Sequence, residues 1–180
     1  MITYGIIGAG WRSEFYLRIA DLLPNTFRVS GIFIRNKEKQ KEFSEKYNVN
    51  ICVTLEELLK TDFDFIVSCV NKKGICDTVR ELSGRNIPLL TETPIGTSPN
   101  EIDDFLSDIK PDWLVQVAEQ FHFQPRNLAI KAVIDSGILG EVNQVQLSCC
   151  HDYHAAALLD FSLIQGMKCP RLLHLPCPIR

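Results

Sequence analysis

The chain has 180 residues, a formal charge of −3 and 46% hydrophobic residues, which is the composition of an ordinary globular protein. The mildly acidic balance argues against nucleic acid as a partner, and no apolar run approaches the roughly 20 residues that span a bilayer. We expect no signal peptide, because the N-terminus leads straight into the first predicted strand, and the seven cysteines are irregularly spaced. We therefore expect a reduced, cytoplasmic protein that does not engage a membrane.

The first segment of the chain carries the most specific motif. An apolar run, Ile2–Ile7, is typical of a buried strand, and apolar residues at helical spacing follow a Gly-x-Gly turn. Gly8 lets the chain turn sharply, and Gly10 has no Cβ to keep a pyrophosphate away from the backbone. The third position of the fingerprint is Ser13 rather than Gly or Ala. Strand, glycine turn and helix predict a dinucleotide site; the alternative is a βα turn that meets no ligand. The backbone N–H groups expected to hold the pyrophosphate are those of Gly8, Ala9, Gly10, Trp11 and Arg12.

The second predicted strand, residues 27–34, bears on the choice of cofactor. Its end lies beside the adenosine ribose in a dinucleotide-binding fold, where an acidic residue would accept hydrogen bonds from the hydroxyls. This chain has Arg35, Asn36 and Lys37 there instead. A missing charged hydrogen bond costs about 1.5–3 kcal/mol, or at least tenfold in affinity, whereas the planar fork of Arg35 suits a 2′-phosphate. The pattern favours NADP, with NAD possible; alternatively, Arg35 and Lys37 begin a solvated helix.

The following segments alternate between strand and helix patterns. This alternation predicts an α/β fold with a doubly wound parallel Rossmann sheet. The further strands are predicted at residues 51–53, 64–70, 88–91 and 113–118, and the helices at 39–47, after the cap Thr54, at 75–82 and after the cap Ser98. Asn71 and Glu92 follow two of these strands, at the edge of the sheet where ligands bind. We expect both to border the nicotinamide half of the cofactor.

We place a domain boundary after Glu119, between a dinucleotide-binding domain at 1–119 and a truncated α/β substrate and oligomerisation domain at 120–180. The second part has about 60 residues, whereas domains normally need roughly 100 or more. A helix is predicted at 125–136 and a strand at 141–150, and the composition changes after Asp160. An unpaired strand edge favours association. We therefore expect a homo-oligomer that pairs this edge, or a poorly ordered C-terminal third.

Three features together resemble the Gfo/Idh/MocA family of oxidoreductases. They are the glycine fingerprint, Thr91-Glu92-Thr93-Pro94, and the passage Gln120-Phe121-His122-Phe123-Gln124-Pro125 through Gly137-Ile138-Leu139-Gly140-Glu141-Val142. The resemblance implies a Rossmann domain, an α/β domain with an open sheet, and NAD(P)-linked oxidation or reduction of sugar-like alcohols. The family has Glu-Lys-Pro at the second feature, and its lysine reaches the cofactor and the substrate hydroxyl. Thr93 stands at that position and supplies no cation, although its hydroxyl could orient a substrate.

The candidate catalytic residues are Thr93, His122 and His154. His122 follows the last predicted strand and could line the cleft or simply begin a helix, and Lys72 or Lys73 could turn into the cleft or remain solvated. The segment 149–154 combines Cys, His and Asp, but on a strand His151 and His154 would face opposite sides, so we expect no metal. His154 or Tyr153 would instead face a substrate, unless the segment is structural.

Two functions remain open at this point. The first is an NADP-preferring dehydrogenase that acts on a small polyol, sugar or similar hydroxy compound. The second is a catalytically inactive dinucleotide-binding protein, regulatory or vestigial, which the loss of the family lysine favours.

Overall fold

The computed structural model describes residues 1–149 and 151–163 of the chain. These residues belong to two compact units, Met1–Ala118 and Glu119–Arg180. The predicted change of structure in the last part of the chain falls mainly on residues 164–180, which lie outside the described residues. In the described part, no helix is long and apolar enough to cross a bilayer.

The first unit is built on a six-stranded sheet with the order β3-β2-β1-β4-β5-β6. All neighbouring strands pair in parallel. The strands are β1 (Ile2–Ile7), β2 (Phe27–Phe33), β3 (Ile51–Cys52), β4 (Phe65–Ser68), β5 (Leu89–Thr91) and β6 (Val115–Val117). The predicted α/β Rossmann fold is confirmed. The order reverses between β1 and β4, which opens a crevice at the carboxyl ends of these two strands.

Helices cover both faces of this sheet. They are α1 (Trp11–Leu22), α2 (Lys37–Lys46), α3 (Leu55–Leu59), α4 (Ile75–Ser83) and α5 (Pro99–Asp108). One face packs against α1 and α2 through Leu17 and Phe43, which join a buried cluster with Tyr4 and Ile32. The other face packs against α3, α4 and α5 around a second cluster that includes Leu58. Because both faces are covered, the central strands are apolar throughout, as the sequence indicates.

Side-chain caps fix where several of these helices begin. The predicted caps Thr54 and Ser98 accept hydrogen bonds from backbone N–H groups at 3.2 and 3.3 Å, so both are confirmed. Asn36 caps α2 in the same way, accepting from the N–H of Lys39 at 3.0 Å. Arg35 is the residue before this cap. The cap therefore holds the backbone next to Arg35 in a defined position.

In the second unit the predicted helix is found, whereas the predicted strand is not. A short 3₁₀ turn, Phe121–Phe123, leads into α6 (Pro125–Asp135), and α7 (Asp152–Leu163) follows later. The strand predicted at 141–150 is wrong for the described residues, because 142–149 pair with no strand. A strand persists only where its N–H and C=O groups find a partner, and the described part of this unit offers none. The predicted homo-oligomer therefore loses the strand edge on which it was based.

The placement of His151 and His154 on a strand is also wrong. The N–H groups of His154 and Ala155 both donate to the carbonyl of His151, at 3.2 and 3.3 Å, in the first turn of α7. Side chains alternate between two faces along a strand but rotate around the axis of a helix. The expectation that the two histidines face opposite sides was based on a strand, so it does not apply.

Candidate functional site

A cavity of about 610 Å³ lies at the carboxyl edge of the sheet, where the strand order reverses. All the residues predicted to bind the cofactor line it, together with Thr93 and Lys72. The predicted cofactor-binding residues are Gly8, Ala9, Gly10, Trp11, Arg12, Arg35, Asn71 and Glu92. The fold thus collects side chains from the ends of four different strands around one space.

The two glycines of the fingerprint have different roles in shaping this cavity. Gly8 has a φ of +117°, and a Cβ added to it would lie 2.6 Å from the carbonyl oxygen of Cys69. Gly10 has a φ of −100°, and a Cβ added to it would meet no described atom within 4 Å. Gly8 is therefore needed for the turn itself, whereas Gly10 leaves open space beside the backbone.

The start of α1 completes a site that suits a phosphate group. Gly10 is the residue before α1, and no side chain in the described part of the chain caps this end. The first N–H groups of a helix have no partner within the helix, and they carry a partial positive charge. Bare backbone, open space and an uncapped helix start together fit the pyrophosphate of a dinucleotide.

Ser13 and Cys69 pack α1 against the sheet beneath the cavity. Ser13 is completely buried, and its side chain lies beside the Cys69 thiol. Burial raises the pKa of Cys69 well above its ordinary value, and the negative charge of Glu92 adds to this effect. Cys69 is therefore a neutral thiol at physiological pH and serves as a packing residue rather than as a nucleophile.

Arg12 makes a side-chain contact that the sequence interpretation missed. Its Nε lies 2.9 Å from Oε1 of Glu92, and the two side chains are only 14% and 9% exposed. The guanidinium also lies 4.8 Å from the ring centre of Trp11 and 5.2 Å from that of Phe15. The side chain of Arg12 is thus directed to a carboxylate, while its backbone belongs to the turn.

Tyr16 reinforces the same contact from the next turn of α1. Its hydroxyl donates to Oε1 of Glu92 at 3.3 Å. Burial raises the pKa of Tyr16, and the neighbouring Glu92 charge raises it further, so the hydroxyl stays protonated and able to donate. The spacing of Arg12 and Tyr16, four residues apart on one helix face, is the sequence signal that could have suggested a shared partner.

Arg35 follows β2 and Glu92 follows β5, so the two residues line the cavity on opposite sides of the reversal in strand order. Nη2 of Arg35 lies 2.9 Å from Oε2 of Glu81 on α4, and both side chains are exposed. An exposed ion pair contributes about 0–1 kcal/mol, so this contact costs little to rearrange. Asn71 is held differently, since its side-chain oxygen accepts from the N–H of Gly74 at 3.1 Å.

The two candidate histidines belong to the second unit and are absent from the lining of this cavity, which comes from the first unit. Nδ1 of His154 lies 2.7 Å from Oε2 of Glu119, and its ring stacks on Phe121 with a centroid separation of 3.9 Å. An imidazole held in this way can exchange a proton through its other nitrogen. His122 lies in the 3₁₀ turn beside Phe123. Among the described residues no group of three potential ligands could hold a metal.

Comparisons with known proteins agree with this architecture. An L-aspartate dehydrogenase from Methanococcus maripaludis is 25% identical over 160 residues, which cover 86% of this chain and 57% of that protein. An oxidoreductase from Thermotoga maritima superposes with a TM-score of 0.74 at 19% identity, covering 90% of this chain and 60% of its own. An oxidoreductase from Agrobacterium radiobacter, solved with NAD⁺, L-tartaric acid and magnesium, gives 0.72 at 16%, covering 90% and 54%.

These relatives are longer than the region that matches. The chain spans little more than half the length of the Methanococcus protein, and likeness at less than 20% identity shows the fold alone. Residues 2–111 match the model of an oxidoreductase family with an NAD-binding Rossmann fold, which covers more than half of the chain. The chain therefore belongs to the Gfo/Idh/MocA family of oxidoreductases.

Proposed function

We propose that this chain binds a nicotinamide dinucleotide in the cavity of the first unit and acts as an NAD(P)-dependent dehydrogenase of a small hydroxyl-bearing compound, such as a sugar or polyol. One observation carries the proposal. The turn from Gly8 to Arg12 leaves open space at Gly10, directly before an uncapped helix. When bound, the nicotinamide accepts or donates the hydride, which is chemistry that no side chain supplies.

The residues of the chain bind and orient the reactants in this proposal. The backbone N–H groups from Gly8 to Arg12 hold the pyrophosphate, and Asn71 and Glu92 border the nicotinamide half. Thr93 follows Glu92 at the cavity wall, so its hydroxyl can orient a substrate. A threonine hydroxyl does not ionise near neutral pH, so Thr93 donates or accepts a hydrogen bond without taking up the substrate proton.

Within the second unit, His154 is our proposed acid–base residue, and His122 is the second candidate. Glu119 and the stacked ring of Phe121 fix His154 in one orientation, and His122 lies beside Phe123 in the 3₁₀ turn. A fixed imidazole with one nitrogen engaged is better suited to directional proton transfer.

Arg35 supports a preference for NADP over NAD. It lines the cavity at the end of β2, and residues 34–37 contain no acidic side chain that would accept from a ribose hydroxyl. A guanidinium presents a planar fork that binds a phosphate through two parallel hydrogen bonds. The pairing with Glu81 keeps this group at the rim, at a small energetic cost when the guanidinium rearranges.

Replacing Arg35 tests this preference. We expect Arg35→Asp to weaken NADPH binding about tenfold or more and to spare or improve NADH binding, since a carboxylate repels a 2′-phosphate and accepts from a 2′-hydroxyl. Lys41→Asp makes the same charge change on α2 outside the cavity lining, and should leave both affinities unchanged. Glu81→Gln removes the ion pair alone. Equal losses for both cofactors in Arg35→Asp would refute the preference.

A dinucleotide-binding protein without turnover is the second candidate, and Thr93 favours it because the family lysine is missing. Fluorescence titration of the purified chain with NADH and NADPH tests binding first. Turnover is then assayed against carbonyls, polyols, tartrate and L-aspartate, the last two because of the Agrobacterium and Methanococcus relatives. Binding without oxidation of the reduced cofactor by any substrate would favour the second candidate, and absence of binding would refute both.

A further inference from the structure

A largely buried ion pair joins two segments that line the cavity and are distant in sequence. Arg12 stands in the first turn of α1, immediately after the glycine turn, and Glu92 follows β5 one residue before Thr93. Both side chains are largely withdrawn from water and both residues line the cavity. The contact therefore connects the proposed pyrophosphate turn to the wall that carries Thr93.

Stability alone is a weak reason for such a pair. Removing two charges from water costs several kcal/mol, and their mutual attraction often does no better than a well-packed apolar pair. The pair also engages Nε of Arg12, the cation closest to the glycine turn in sequence, with a carboxylate. A role in positioning Glu92 accounts for both features.

The geometry at Glu92 points to what is positioned. The Nε of Arg12 and the hydroxyl of Tyr16 both approach Oε1, at 2.9 and 3.3 Å. A carboxylate has two oxygens that accept independently, so the ion pair with Arg12 and the hydrogen bond from Tyr16 hold Oε1 while Oε2 remains a second acceptor. The contacts on Oε1 therefore also restrain the position of the second oxygen, Oε2, at the cavity wall.

The direction along the cavity identifies the part of the ligand concerned. A dinucleotide lies across the crevice from the strand that follows α1 toward the strands on the other side of the reversal. Arg35 stands at the end of β2, on the adenosine side, and Glu92 stands at the end of β5, on the opposite side. Glu92 therefore borders the half that contains the nicotinamide and its ribose, whose amide and hydroxyl groups are hydrogen-bond donors.

We propose that Arg12 and Tyr16 are positioning residues for the nicotinamide half of the cofactor, since they hold Oε1 of Glu92 so that Oε2 accepts hydrogen bonds from that half. This inference rests on the proposed dinucleotide binding. It assigns the Arg12 side chain to the nicotinamide end, whereas its backbone N–H remains part of the pyrophosphate turn. The pKa of Tyr16, raised by burial, keeps its hydroxyl a donor throughout the physiological range.

Comparing two ligands distinguishes a positioning role of Arg12 at the nicotinamide half from a role in binding the phosphates. NADPH carries both halves of the cofactor, whereas 2′-phospho-ADP carries the adenosine, its 2′-phosphate and a diphosphate without the nicotinamide half. We expect Arg12→Gln to weaken NADPH binding about tenfold or more and to change 2′-phospho-ADP binding less than about twofold, as measured by titration calorimetry. Arg12→Lys, which keeps the charge, should recover part of the loss, and Arg18→Gln on the exposed face of α1 should change neither ligand.

Further variants keep the inference falsifiable if Arg12→Gln does not fold. Tyr16→Phe removes only the hydroxyl and should weaken NADPH selectively by a few-fold. Losses from Arg12→Gln and Glu92→Gln should not add for NADPH, because both substitutions remove the same interaction, that of a positioned Glu92 carboxylate with the nicotinamide half. Equal losses for the two ligands, or no loss for either, would overturn the positioning role while leaving dinucleotide binding intact. A wild-type chain that binds neither ligand would instead overturn the proposed function itself.

Discussion

Replacing Gly10 with valine separates the stability of the glycine turn from its proposed binding role. A Cβ at this position meets no described atom within 4 Å, and the φ of −100° is accessible to valine. Valine is a poorer residue than glycine before a helix, which costs up to about 1 kcal/mol. It also restricts the unfolded chain, which returns about 0.4–1 kcal/mol. These terms nearly cancel, so we expect Gly10→Val to melt within a few degrees of the wild type.

Binding should respond very differently in the same variant. The branched side chain would occupy the open space through which a pyrophosphate reaches the backbone N–H groups at the start of α1. Each charge-assisted hydrogen bond lost there contributes about 1.5–3 kcal/mol, so loss of two weakens binding by about 100-fold or more. Fluorescence titration with NADPH measures the loss, and thermal unfolding of the same sample measures stability.

Gly8→Ala is the matched control, because it adds a smaller group to the neighbouring glycine. Its φ of +117° is strained for any side chain, and the new Cβ would lie 2.6 Å from a backbone carbonyl oxygen. We expect this variant to lose about 2 kcal/mol or more of stability. An unchanged NADPH affinity in a folded Gly10→Val would show that the fingerprint is only a turn. A large drop in its melting temperature would refute the claim of open space.

Three further predictions concern other parts of the chain. Thr93→Lys restores the family cation at the cavity wall, so turnover with a competent substrate should rise by about 10²–10⁴-fold in a steady-state assay. If turnover does not rise in a variant that still binds the cofactor, another group, or none, performs the proton transfer. Burial raises the pKa of Tyr4 to about 12, so its contribution to stability should be complete below pH 10 and fall by up to about 3 kcal/mol as the pH rises toward and beyond 12. The pKa values of Tyr16 and Cys69 are also raised, so Tyr4→Phe should reduce the alkaline loss of stability by about this amount rather than abolish it, and a loss equal to that of the wild type would contradict the prediction. Glu119→Ala frees the ring nitrogen of His154 and should speed its modification by diethyl pyrocarbonate, as followed by peptide mass spectrometry; an unchanged rate would show that the carboxylate does not hold the ring.

Most of the first unit could be predicted from the sequence because its signals are local. A glycine turn between Ile7 and Trp11, apolar strand segments and the helix caps at Thr54 and Ser98 each depend on residues within a few positions. In a parallel sheet with right-handed crossovers, such local signals leave few topologies to choose from. The observed strand order follows from them.

The strand predicted at 141–150 fails for the opposite reason. A β-forming composition shows only that a segment could pair, and pairing requires a partner strand whose position the local sequence does not encode. The described residues of the second unit supply none, so 142–149 run without regular structure. Helices satisfy their own hydrogen bonds, which is why the predicted α6 is found in the same unit.

The contact between Arg12 and Glu92 shows what the sequence could not provide at the site itself. Both residues were predicted to border the cofactor, one at the pyrophosphate and one at the nicotinamide, but the folded chain places their side chains 2.9 Å apart. The cation nearest the glycine turn thereby contacts a carboxylate, and in our proposal the pyrophosphate is bound by backbone N–H groups beside the open space at Gly10. In our proposal, selection between NAD and NADP is left to Arg35, which lines the cavity at the end of β2. Because the proposal assigns the adenosine, pyrophosphate and nicotinamide parts to different residues, we expect that a loss at one part can be measured while binding at the others persists.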